Sequence, residues 1–165
     1  MTATLARRYT IGALEIYGGL SGFAITAPLL GPASSWLWRV VLLLILLFFA
    51  ACCVAGVMLV REHSWGASLS LYLQIPQLLF VYSSALIWQL YCGVNLSLSL
   101  TTPFELGFFA SPDSTVHFTV NNDLDHVTLG VNVVAAFLLW QLYEYLEDRD
   151  NPGRRNRPRS FGGTV

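Results

Sequence analysis

Side chains able to do chemistry are sparse in this sequence, and those that stand out lie within long apolar runs. Glu15 sits about two turns into the first run. An ionisable group in a membrane span is costly, faces protein or water, and marks a functional position by default. Arg7, Arg8 and Arg61 would meet it near the interface, which makes a structural or snorkelling role the simpler one. A second polar set falls in residues 69–91. Ser70, Gln74, Gln77, Ser84 and Trp88 recur at steps of four, three, seven and four, a single narrow stripe on one helix. Pro76 lies between the glutamines and would free the carbonyl of Tyr72, where a kink starts. Asn132 and Gln141 supply matching polar positions in the last apolar run. Uncharged amides beside a proline kink suit either a water-filled path or hydrogen bonds between helices, and the second is favoured.

Other chemistry is hard to assemble. His63, His117 and His126 all lie outside the apolar runs, so haem held by two histidines within a bundle is unsupported. HExxH, Cys/His and Walker-type patterns are missing, and no metal or cofactor is expected. Asp123, Asp125 and His126 form a small outer cluster. It could serve a surface enzyme, but the flanking motifs of a four-helix aspartyl peptidase are missing, and a solvated turn capping the last helix is simpler. Cys52, Cys53 and Cys92 give neither a disulfide framework nor a CxxC pair, and they read as small packing residues. The chain is therefore not expected to be an enzyme.

The elements that must hold these residues follow from composition. Of 165 residues, 55% are hydrophobic and only 12% charged, with mean hydropathy +0.56. A soluble domain carries about a quarter charged residues. Four apolar runs account for the difference: Tyr9–Leu30, Trp36–Val60, Leu69–Tyr91 and Val127–Tyr143. Each approaches the roughly 20 residues a membrane helix needs. The first run is too long for a signal peptide and reads as an anchor. It carries Gly18 and Gly22 at GxxxG spacing, which favours close helix packing.

All nine basic residues are arginines. Arg7 and Arg8 precede the first run, Arg61 follows the second, and Arg149, Arg154, Arg155, Arg157 and Arg159 follow the fourth, whereas residues 93–126 have none. The positive-inside rule then puts both termini in the cytoplasm, in a bacterial inner membrane. Arg39 alone departs from the pattern, beside the interfacial anchors Trp36 and Trp38.

Residues 93–126 show strand periodicity. Asn95–Leu100, Phe104–Phe108 and Val116–Asn121 alternate strictly, separated by Thr-Thr-Pro and Ser-Pro-Asp-Ser turns. They predict a small outer antiparallel meander of two or three strands, with Leu96, Leu98, Leu100, Phe104, Leu106, Phe108, Val116, Phe118 and Val120 on one apolar face. So small a sheet must lie against its own bundle, the bilayer, a second copy or a partner.

The expected fold is thus all-α: a four-helix transmembrane bundle over residues 1–146 with an outer β-meander, then a disordered cytoplasmic tail over 147–165. That tail is too weakly basic for nucleic acid but suits an anionic lipid surface. The expected function is a non-enzymatic multi-pass subunit that forms homo-oligomers or docks a membrane-protein partner through Leu96, Leu98, Phe104, Phe108 and Phe118. The alternative is a small channel or transporter lined by Glu15, Gln74, Gln77 and Ser84.

Overall fold

The computed structural model describes residues 3–31, 35–120 and 123–150. Its first half is a helical hairpin. Helix α1 spans Ala3–Thr26 and ends in a 3-10 turn at Ala27–Leu30, and α2 spans Trp36–Val60. Helix α2 starts at Ser35, whose hydroxyl accepts from the Trp38 amide. It ends at Arg61 and at Glu62, which takes a positive φ of 59°. Leu5–Leu30 and Trp36–Val60 are both long and apolar enough to cross a membrane.

Small residues bring the two helices together. A side chain at Gly12 would strike the Gly56 carbonyl, and one at Gly19 would strike the Phe49 carbonyl. The contact line therefore runs through Gly12, Gly19 and Gly22. Gly18 instead faces the backbone at Cys92 and Gly93, so the Gly18/Gly22 pair divides between two neighbours.

The second half departs from the expected bundle, because two of the four long helices do not form. Residues 69–91 break into a shorter helix, α3 (Gly66–Leu78), and two strands, β1 (Leu79–Tyr82) and β2 (Leu86–Tyr91). Residues 127–143 divide into β6 (Thr128–Asn132) and the start of α4 (Val133–Asp150). Pro76 already removes a helical hydrogen bond just before the break. Leu-Phe-Val-Tyr and Leu-Ile-Trp-Gln-Leu-Tyr are then rich in the aromatic and branched residues that suit strands. Ser83 closes the turn between them, its amide donating to the Leu86 carbonyl. An all-α four-span bundle is therefore excluded.

Strands β3 (Asn95–Thr101), β4 (Glu105–Ser111) and β5 (Thr115–Val120) lie where the alternation predicts them, but they do not form a separate meander. All six strands join one antiparallel sheet in the order β4-β3-β6-β1-β2-β5. β5 pairs with β2, not with β4. Phe104 sits in the β3–β4 connection with a φ of 127°, off the strand face it was expected to share.

The molecule has two unlike ends. At one, Ile11, Leu59, Ala67, Leu138 and Leu142 knit all four helices into a core. Ion pairs Arg7–Glu144 (3.1 Å) and Arg8–Glu62 lie close by, and Arg149 donates to the Ser64 carbonyl. At the other end Trp38 packs edge-on against Phe118 of the sheet. The sheet thus lies beside the half of the hairpin remote from the charges. Residues 147–150, expected in a disordered tail, instead continue α4, and residues 151–165, with four of that tail's five arginines, fall outside the described residues.

Candidate functional site

Direct cross-strand partners share a face of the sheet, so the register assigns each side chain. One face carries Leu98, Val131, Leu79, Leu100, Leu129, Val81, Trp88, Phe118, Leu106 and Phe108, all apolar. The other carries Asn95, Ser97, Ser99, Asn132, Gln89, Tyr91, Tyr82 and His117, together with Phe80, Ile87, Phe109 and Gly130. In a soluble half-buried sheet the polar face meets water. Here the arrangement is reversed. Tyr91, Asn95 and Ser97 are at most 1% exposed, whereas Leu98 is 55%, Leu129 56% and Leu106 88% exposed.

The polar face is buried because the sheet rolls onto it. β3 and β2 are separated by β6 and β1, which would put them roughly 14 Å apart in a flat sheet. Yet Ser97 Oγ on β3 stands 3.4 Å from the Tyr91 hydroxyl on the end of β2. A serine and a tyrosine side chain do not bridge that gap without strong curvature. Inside the roll Ser97 also donates to Asn95 Oδ1 at 2.6 Å, and Tyr82 bonds to Gln89.

A second polar cluster ties the hairpin to α3. Glu15 is buried, and its carboxylate accepts from Ser70 Oγ at 2.7 Å and Gln74 Nε2 at 3.4 Å. Gln77 donates to the Leu73 carbonyl and accepts from the Cys92 amide at 2.7 Å, which fixes the end of β2 against α3. Cys92 is drawn against Cys52 of α2. The sequence gives no sign that these two cysteines meet.

The other expected positions scatter. The polar stripe stops at Gln77, because the helix ends at Leu78 and Ser84 lies exposed in the β1–β2 turn. Asn132 caps α4, its Oδ1 accepting from the amides of Val134 and Ala135. Gln141 is buried on α4, remote in sequence from both clusters. Asp123, Asp125 and His126 are exposed. Among the described residues no three of His, Cys, Asp or Glu gather as metal ligands. Leu96, Leu98, Phe108 and Phe118 do share the apolar face, and Phe104 is 89% exposed beside it.

No family model matches the chain. No curated protein and no solved structure shows significant similarity to it either. The geometry alone carries the reading. Between α2 and the β2–β5 side of the sheet lies an apolar cavity of about 350 Å³, walled by Leu44, Ile45, Phe48, Trp88 and Phe118. Among the described residues β5 on that side has no outer strand neighbour, and β4 is the opposite edge of the sheet. These surfaces suit hydrocarbon and backbone pairing, the chemistry of association.

Proposed function

We propose that the chain is a non-enzymatic membrane subunit, anchored by its helical hairpin and docking another protein through its rolled sheet. The α1–α2 hairpin crosses the bilayer twice, with the arginine-rich end and both termini in the cytoplasm. The sheet then lies beside the outer half of the hairpin.

One observation carries this reading: the sheet is inverted, apolar outside and polar inside. That alternation belongs to β-structure facing lipid. The girdle continues onto the helices through Val133, Phe137, Trp140 and Tyr143 of α4, all exposed. In water so large a contiguous apolar surface would drive aggregation. The buried polar residues support a binding role over a catalytic one, since Glu15, Gln74 and Gln77 spend their hydrogen bonds on joining elements of the chain.

The test is spin labelling of the full chain in lipid nanodiscs. Labels at Leu98 and Leu129 should be relaxed by oxygen, which partitions into lipid, and not by a water-soluble nickel chelate. A label at Asp123 should show the opposite. Nickel access at Leu98 and Leu129 would place the sheet in water and end the proposal.

A further inference from the structure

Resting on that membrane reading, we infer that the cavity between α2 and the β2–β5 side of the sheet binds one acyl chain of an outer-leaflet phospholipid. Its α2 wall is Val41, Leu44, Ile45 and Phe48, at steps of three, one and three. Those positions form one stripe along the helix, about 10 Å long at the helical rise. Facing them are the pairs Trp88–Phe118 and Leu90–Val116, on the apolar side of β2 and β5. The space is therefore a slot that runs along the helix, in the direction that lipid tails run.

Its depth matches a tail. Counting from Trp36 at the start of α2, Val41 lies about 8 Å and Phe48 about 18 Å along the axis. Tryptophans mark the headgroup level, and Trp36 is 79% exposed. Half of the hydrocarbon core is about 15 Å thick, so the slot occupies the outer leaflet. Trp38, Phe118 and Trp88 meet edge-on in series, at 6.4 and 6.3 Å, at its headgroup end.

Other occupants fit poorly. Water needs two to four polar partners. Gln89 and His117 border the slot, but strand alternation puts their side chains on the opposite face of the sheet. A void is also disfavoured. At about 350 Å³ the slot has more than twice the volume of an engineered cavity of roughly 150 Å³ that takes up benzene. Unfilled, its walls forfeit dispersion contacts. Nor does the rest of the chain supply a filler. Between Ala3 and Asp150 the sequence adds only Pro-Ala-Ser at 32–34 and Asn-Asn at 121–122 to the described residues. Phe161 would bring arginines with it into hydrocarbon.

The slot is continuous with the surface that meets lipid. Leu44 is both a wall of it and 61% exposed, beside Leu43 and Leu47, which are exposed as well. A tail lying along α2 enters sideways past Leu44 and meets no charge, since Val40–Val60 has none. Lipid tails and leucines are equally apolar, so what holds this one is the extra contact made inside the slot.

The experiment titrates the delipidated full chain, in detergent, with a phosphatidylcholine brominated on its acyl chains, because bromine quenches tryptophan on contact. Quenching should saturate near one lipid per chain, and Trp88→Phe should remove most of the saturable part. Ile45→Phe and, from the opposite wall, Val116→Phe fill the slot and should each abolish saturation while keeping the parent circular dichroism. Leu47→Phe, on the exposed face of α2, should leave it unchanged. Native mass spectrometry should show the 18.3 kDa chain carrying one lipid. Quenching that rises without saturating, saturation that survives Trp88→Phe in full or both filled variants, or a dimer mass without lipid would overturn the inference. With lipid-exposed labels at Leu98 and Leu129, any of these removes the tail site and leaves the membrane reading standing. Water-exposed labels would remove both.

Discussion

Gly130→Ala tests the rolled sheet at its tightest point. Gly130 on β6 is the direct partner of Phe80 on β1, and the Phe80 ring lies over it. A methyl group at Gly130 would fall 1.9 Å from Cζ of that ring and 2.1 Å from Cε1. Ordinary carbon contacts are about 3.5–4.0 Å, so the ring must retreat by more than an ångström. It has nowhere to go. Tyr82 and Tyr91 meet it edge-on at 5.8 and 6.1 Å, and Phe80 is only 5% exposed. Overpacking of this kind costs about 1–3 kcal/mol, and the flanking tyrosines put Gly130→Ala near the upper limit. Phe80→Ala alone should cost about 3–5 kcal/mol through the cavity it leaves. In the double variant the methyl group enters that space, so the two costs should not add, with a coupling of about 2 kcal/mol. Chemical denaturation in detergent, followed by near-ultraviolet circular dichroism, reads all four corners of the cycle. A Gly130→Ala cost below about 0.5 kcal/mol, or one that persists beside Phe80→Ala, would show that no ring covers Gly130. The inward face would then be misassigned.

Two further outcomes follow from the same contacts. Asn132→Ala removes the cap from α4 and should cost about 1 kcal/mol in the denaturation midpoint, while Asn132→Ser should recover most of it. Glu15→Leu strands the Ser70 hydroxyl and the Gln74 amide in the interior and should cost about 1–3 kcal/mol, against less for Glu15→Gln, which keeps an acceptor; equal losses would mean that Glu15 is not their partner.

Different parts of this fold are legible to different degrees. Helix α2 is plain because Val40–Val60 is continuously apolar and contains no charge. β3 is equally plain, since Asn-Leu-Ser-Leu-Ser-Leu has only one period. Residues 69–91 mislead because a continuous apolar run has no period to read, and a helix and buried strands then look alike. The clues there are local: Pro76, the serine pair at 83 and 84, and the aromatic and branched residues on either side. In the last run Asn132 is a capping residue just before Val-Val-Ala-Ala-Phe, a helix start that hydropathy alone ignores. Glu15 stands out in the sequence, but its partners Ser70 and Gln74 lie more than fifty positions away, and only the packing of α1 and α3 against α2 unites them. The contact of Ser97 with Tyr91 depends on curvature, which no local pattern encodes.

The strand-to-helix junctions have a mechanical consequence. α3 passes into β1 between Leu78 and Leu79, and β6 passes into α4 between Asn132 and Val133, with no linker at either crossing. Leu79 and Val131 are ladder partners, so both transitions occur side by side. Helix pair and strand pair thus make one stiff arm that changes its hydrogen-bonding scheme half-way along. Gln77, bonded to Cys92, clamps that joint to the neighbouring strand. A push on the α3–α4 pair at the charged end has no slack loop in which to dissipate, and it arrives at the rolled sheet as a tilt of its two central strands.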